Sequence, residues 1–104
     1  MIKDKRDSQR IYFRYQHIVT YFAPRERQCM ALLLQGKTAR EIAKHLNLST
    51  RTVEFYFFNM RNKLAARTKK ELIQRVLETD FLNQMHSFSI DPSMMASNMS
   101  IKSE

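Results

Sequence analysis

Residues 50 to 64, TRTVEFYFFNMRNKL, hold the chain's best candidates for chemistry. At 100° per residue, Val53, Phe57, Met60 and Leu64 gather on one side of a helix, with Tyr56 at the edge. The opposite side carries Arg51, Phe55, Phe58 and Asn62, flanked by Glu54 and Asn59. This set suits recognition rather than bond making. A guanidinium and threonine hydroxyls beside a helix N-terminus can hold a phosphate. A carboxylate can accept from an amine, and exposed phenyl rings can cover apolar groups of a partner. Two phenylalanines facing water need a partner.

Elsewhere the titratable residues form no constellation. His17 and His45 lack a paired carboxylate or a cysteine arrangement, which leaves acid/base catalysis and zinc without a site. Met85, His86, Met94, Met95 and Met99 are soft ligands at irregular spacing, so no copper site is expected. The lone Cys29 sits in the apolar run CMALLL, where a thiol behaves as a small hydrophobe. No enzyme activity, cofactor, metal or small-molecule ligand is expected.

The elements that would position residues 50 to 64 are also legible. Ser49 caps that helix, and Thr38 with Glu41 forms a T-x-x-E capping box opening a short helix over 39–46. That short helix carries Ile42, Ala43 and Leu46 on one face, and Asn47 is a left-handed stop. A short helix, a tight turn and a longer helix make the layout of a helix-turn-helix. Ahead of it, Pro24 and Glu26 open a helix over 24–35 that Gly36 ends. Behind it, Thr68 and Glu71 form a second capping box before ELIQRVLETDFL. In that fourth helix Leu72 with Val76 and Ile73 with Leu77 are i, i+4 pairs; one pair faces the core and the other leaves a stripe for a homodimer.

One glycine, two prolines and no alternating polar/apolar run favour an all-α chain. Three regions are expected: an aromatic-rich leader over 1–22, packed as an extra helix, a four-helix domain over 23–82, and a Ser/Met-rich disordered tail over 83–104. The leader's Ile11, Tyr12, Phe13, Tyr15, Ile18, Val19, Tyr21 and Phe22 are too apolar for a free tail, and folding over Phe55 and Phe58 is one place for it.

The formal charge is +8, unevenly spread: residues 1 to 75 hold 17 Lys/Arg against 6 Asp/Glu, and residues 76 to 104 hold 1 against 4. A basic domain recruits polyanions by releasing their counterions. No apolar stretch reaches the roughly 20 residues of a membrane span, and MIKDKRDSQR lacks a signal peptide's apolar segment, which points to a cytoplasmic protein.

With these residues in view, APRERQCMALLLQGKTAREIAKHLNLSTRTVEFYFFNMRNKLAARTKKELI resembles the LuxR/GerE-type four-helix DNA-binding domain of bacterial transcription regulators, over about residues 22 to 78 and without gaps. The matching positions include Pro24, Glu26, Leu33, Gly36, Glu41, Ile42, Ala43, Leu46, Ser49, Thr52, Val53, Asn59, Lys63 and Leu64. The resemblance implies that residues 50 to 64 enter the major groove and that the fourth helix supports dimerisation through Leu72, Ile73, Val76 and Leu77. It puts Glu54, Phe55 and Phe58 toward bases, and Thr50, Arg51, Thr52 and Lys63 toward phosphates. Arg67, beside the reader helix, joins the phosphate set by its charge and position. Ala23 stands where the family often has a capping Thr or Ser, a change costing on the order of 1 kcal/mol. Ala65 replaces the usual Gly or Asn, and Glu54, Phe55, Phe57 and Phe58 stand at the groove face, where many relatives carry Lys or Arg. Twenty-two residues without βα alternation precede the motif, so control by an upstream phosphoacceptor domain is not expected.

The function implied is a transcription regulator that binds double-stranded DNA as a homodimer, with RNA polymerase or another regulator as a further partner. The alternative is a degenerate helix-turn-helix that pairs with another regulator through its Phe-rich face. A third reading makes the chain the DNA-binding end of a longer regulator.

Overall fold

Residues 10–88 are described by the structure, a computed structural model of the chain. In chain order they form β1 (Tyr12–Tyr15), β2 (Ile18–Tyr21), α1 (Pro24–Leu34), α2 (Ala39–Leu46), α3 (Thr50–Lys63), α4 (Lys69–Leu77) and α5 (Phe81–Phe88).

The all-α expectation is corrected at the leader, which is a β-hairpin and not an extra helix. The strands are antiparallel, pairing Tyr12 with Tyr21, Phe13 with Thr20, Arg14 with Val19 and Tyr15 with Ile18, and Gln16 turns the chain at φ 53°. Side chains alternate across the sheet: Ile11 and Phe13 are buried while Tyr12 and Arg14 are exposed. Aromatic and β-branched residues favour this pleated, half-buried surface. Tyr12 and Val19 on the outward face hid the alternation from composition. An isolated hairpin is marginal in water, and here long-range packing supports it. The rings of Phe13, Phe22 and Phe81 meet pairwise edge-on at centroid distances of 4.9, 5.3 and 5.3 Å.

Phe81 also marks the second correction. The long fourth helix expected up to Leu82 stops at Leu77, and a new helix, α5, starts at Phe81. The Thr79 hydroxyl donates to the Val76 carbonyl at 2.7 Å and accepts from the Phe81 N–H at 3.1 Å, so a side chain replaces the helical ladder at the break. Residues 83–88, assigned to a disordered tail, belong to α5; Met85 packs on the core, and the Gln84 amide donates to the Tyr12 carbonyl at 2.7 Å. The rest of that tail, 89–104, and residues 1–9 of the leader lie outside the described residues.

The core unites Ile11, Phe13 and Phe22 with Met30, Leu33, Ile42, Val53, Phe57, Met60, Leu64, Leu72, Val76 and Phe81. Each helix contributes the face its periodicity marks. Because α2 and α1 both pack on α3, the inner side of α3 is closed, and among the described residues no other element covers its outer side.

Candidate nucleic-acid interface

The turn between α2 and α3 is set by Asn47, at φ 60° and ψ 46°, where the Leu48 N–H reaches back to the Ala43 carbonyl at 2.8 Å. Asparagine tolerates this left-handed geometry better than most residues. Upstream, the expected capping box is complete: the Thr38 hydroxyl accepts from the Glu41 N–H at 3.1 Å, and the Glu41 carboxylate accepts from the Thr38 N–H at 2.9 Å. That Thr38 N–H, aided by the Lys37 charge, holds the Glu41 carboxyl below the usual carboxylate range.

At the start of α3 the Ser49 hydroxyl accepts from the Thr52 N–H at 3.0 Å and lies 2.9 Å from the Thr52 hydroxyl. Thr52 is therefore half-buried and already bonded to its cap, whereas Thr50 and Arg51 are exposed. Helix geometry leaves the N–H groups of Thr50 and Arg51 without intrahelical partners. A groove of about 640 Å³ opens beside them, lined by Thr38, Arg40, Glu41, Ala43, Lys44, Leu48, Ser49 and Thr50. Sequence reasoning missed Arg40 and Lys44. Their i, i+4 spacing on α2 was the available signal, since it puts both cations on one face.

One turn along α3, Glu54 is exposed, Phe55 is 57% exposed and Phe58 48%. The hairpin does not fold over them; its inner residues are committed to the core with Phe81. The Arg61 guanidinium lies over the Phe58 ring at 5.7 Å and donates to the Arg67 carbonyl at 3.3 Å. Phe57 is buried beneath the Lys69 ammonium, 4.7 Å from its ring.

Two groups of sequence-assigned residues separate here. Lys63, assigned to phosphate, turns inward: its Nζ donates to Glu26 Oε1 at 2.8 Å and to the Tyr21 carbonyl at 3.0 Å. Arg67 is exposed, but it lies beyond the C-terminal end of α3, which is roughly 18 Å along the helix from Arg51. In α4, Leu72 and Val76 are fully buried and cannot belong to an outer stripe. Ile73 is half-buried and packs against the edge of the core, and Leu77 is 56% exposed, so of the four Leu77 is the one that faces outward. Among the described residues no three His, Cys, Asp or Glu side chains gather as a metal site, and no helix is long and apolar enough to cross a membrane.

A helix-turn-helix braced in this way also matches a known family at the level of sequence. The family described as "Bacterial regulatory proteins, luxR family" matches residues 20–76, more than half of the chain. The chain belongs to the luxR family. Its members are regulators rather than enzymes. The chain is 41% identical over 59 residues to the transcriptional activator protein VanR of Vibrio anguillarum, covering 57% of this chain and 25% of VanR. It is 35% identical over 65 residues to the transcriptional regulatory protein FixJ of Bradyrhizobium diazoefficiens, covering 62% of this chain and 32% of FixJ. Against the uncharacterized response regulatory protein YgeK of Escherichia coli the identity is 42% over 53 residues, 51% of this chain and 36% of YgeK. The matches thus span a quarter to about a third of these relatives. Strand β1 and helix α5 fall outside the luxR-family match.

Proposed function

We propose that the chain is a DNA-binding transcription regulator that inserts α3 into the major groove of double-stranded DNA. The observation that carries this reading is the free outer side of α3, which presents Arg51, Glu54, Phe55 and Phe58 beside a groove lined by Arg40 and Lys44. In this arrangement Thr50, Arg51, Arg40 and Lys44 contact phosphates, with Thr52 braced by Ser49, while Glu54, Phe55 and Phe58 face bases. Arg67 meets backbone at the other end of α3. Two copies pair through Ile73 and Leu77 of α4, which gives the operator two-fold half-sites.

Fluorescence anisotropy against a short random-sequence duplex, titrated from low to physiological salt, tests the reading. Binding with a steep salt slope supports it, and Arg51→Ala should lower the slope of log K against log salt by about 1. Selection from a randomised pool should then enrich a half-site.

The exposure of Phe55 and Phe58 beside Glu54 favours a second reading, a protein-interaction module that pairs with another regulator. Absence of duplex binding at low salt selects it over the first.

A further inference from the structure

The outer side of α3 puts an exposed carboxylate, Glu54, one turn from an exposed phenyl ring, Phe58. We propose that this surface reads a cytosine methylated at C5, so that the affinity of the regulator depends on DNA methylation; the proposal rests on the major-groove reading above. Residues 54 and 58 are one turn apart on a single helix face, so the Glu54 carboxylate and the Phe58 ring address the same base step. In the major groove the N4 amine and C5 of cytosine occupy adjacent ring positions. Glu54 can accept from N4 while Phe58 covers a methyl at C5.

Three observations favour this division of labour. Glu54 is exposed and has no ion pair with a described residue, so its carboxylate is available to a base. Phe58 is 48% exposed and has the Arg61 guanidinium over one face, 5.7 Å from the ring, with Arg61 in turn donating to the Arg67 carbonyl. Thymine shares the C5 methyl but offers an O4 acceptor where cytosine offers a donor, and two acceptors repel. Glu54 therefore separates 5-methylcytosine from thymine, and Phe58 separates both from their unmethylated counterparts. Phe55, beside the Tyr56 ring, extends the apolar surface toward the neighbouring base.

The test uses the full chain and two randomised duplex pools, one made with cytosine and one with 5-methylcytosine. The operator selected from the second pool is then resynthesised with cytosine, 5-methylcytosine, thymine or uracil at each pyrimidine of the half-site, and affinities are read by anisotropy. Covering one methyl corresponds to about fourfold in affinity. The expected result is a preference of that size for 5-methylcytosine over cytosine at one position at least. Phe58→Ala should bring that ratio close to one, whatever it does to absolute affinity. Glu54→Gln should retain the methyl preference and lose the preference for 5-methylcytosine over thymine. Equal affinity of the unaltered chain for cytosine and 5-methylcytosine duplexes would overturn the proposal while leaving the DNA reading intact. Failure to bind any duplex would remove the DNA reading and this inference with it.

Discussion

Lys63 and Glu26, 37 residues apart in sequence, form an ion pair of 2.8 Å that ties the last turn of α3 to the first turn of α1. Glu26 Oε1 also accepts from the Ala23 N–H at 2.8 Å, supplying half of a capping box that alanine cannot reciprocate. One carboxylate thus starts α1 and anchors α3.

Removing Lys63 leaves that carboxylate, whose side chain is 6% exposed, without its charge partner. Breaking a fully buried pair costs about 3–5 kcal/mol. Because Lys63 itself is 30% exposed, Lys63→Ala should cost less, about 2 kcal/mol. Urea denaturation should show a lower midpoint with an unchanged slope. The salt slope of duplex binding should stay as it is, in contrast with Arg51→Ala.

Ala65 follows α3 at φ 54°, a left-handed conformation that strains a Cβ. The Leu64 and Ala65 carbonyls there accept from Arg75 at 2.8 and 2.9 Å, so the geometry is held by tertiary contacts. Ala65→Gly should relieve the strain, less the entropy glycine adds to the unfolded chain, for a net gain of about 0.5–1 kcal/mol. A higher melting temperature by calorimetry checks it.

Burial pushes the Cys29 thiol up to about 11. A thiol is reactive as its thiolate, so Cys29 in the folded chain should resist a thiol reagent at pH 8 and react on unfolding in denaturant. The linkage sign follows: the folded state holds this proton more tightly than the unfolded one. The associated stability is fully present below the ordinary thiol range and is lost as pH rises toward about 11. Denaturation series across that range should show the fall, and Cys29→Ala should flatten it.

The hairpin depends on Phe81. Truncating a fully buried phenylalanine costs about 3–5 kcal/mol, and Phe81→Ala removes two of the three ring contacts with Phe13 and Phe22. Amide exchange should accelerate across 12–21 more than across α2 and α3. Equal acceleration everywhere would mean that the hairpin and α5 do not open as a separate unit.

Leu77 is exposed at one end of α4, whereas Leu72 and Val76 fill the core. Leu77→Glu should therefore leave the fold intact by circular dichroism and shift sedimentation toward a monomer. A chain that sediments as a monomer before the substitution, free and on DNA, would remove the dimer.

Local chemistry by itself determined the centre of this protein. The capping residues Thr38, Ser49 and Thr68, the left-handed Asn47, and the 3.6-residue periodicity through Val53, Phe57, Met60 and Leu64 each act over a turn or two of backbone. They were therefore legible along the chain and agree with the observed helices. Tertiary packing decided the rest. Whether Tyr12–Tyr21 became helix or hairpin depended on a packing surface distant in sequence, Phe81 included, because a marginal hairpin forms only against a partner surface. Which i, i+4 pair of α4 faced inward, and whether Lys63 reached for a phosphate or for Glu26, depended on the angle at which neighbouring helices arrive, and no residue spacing encodes that angle.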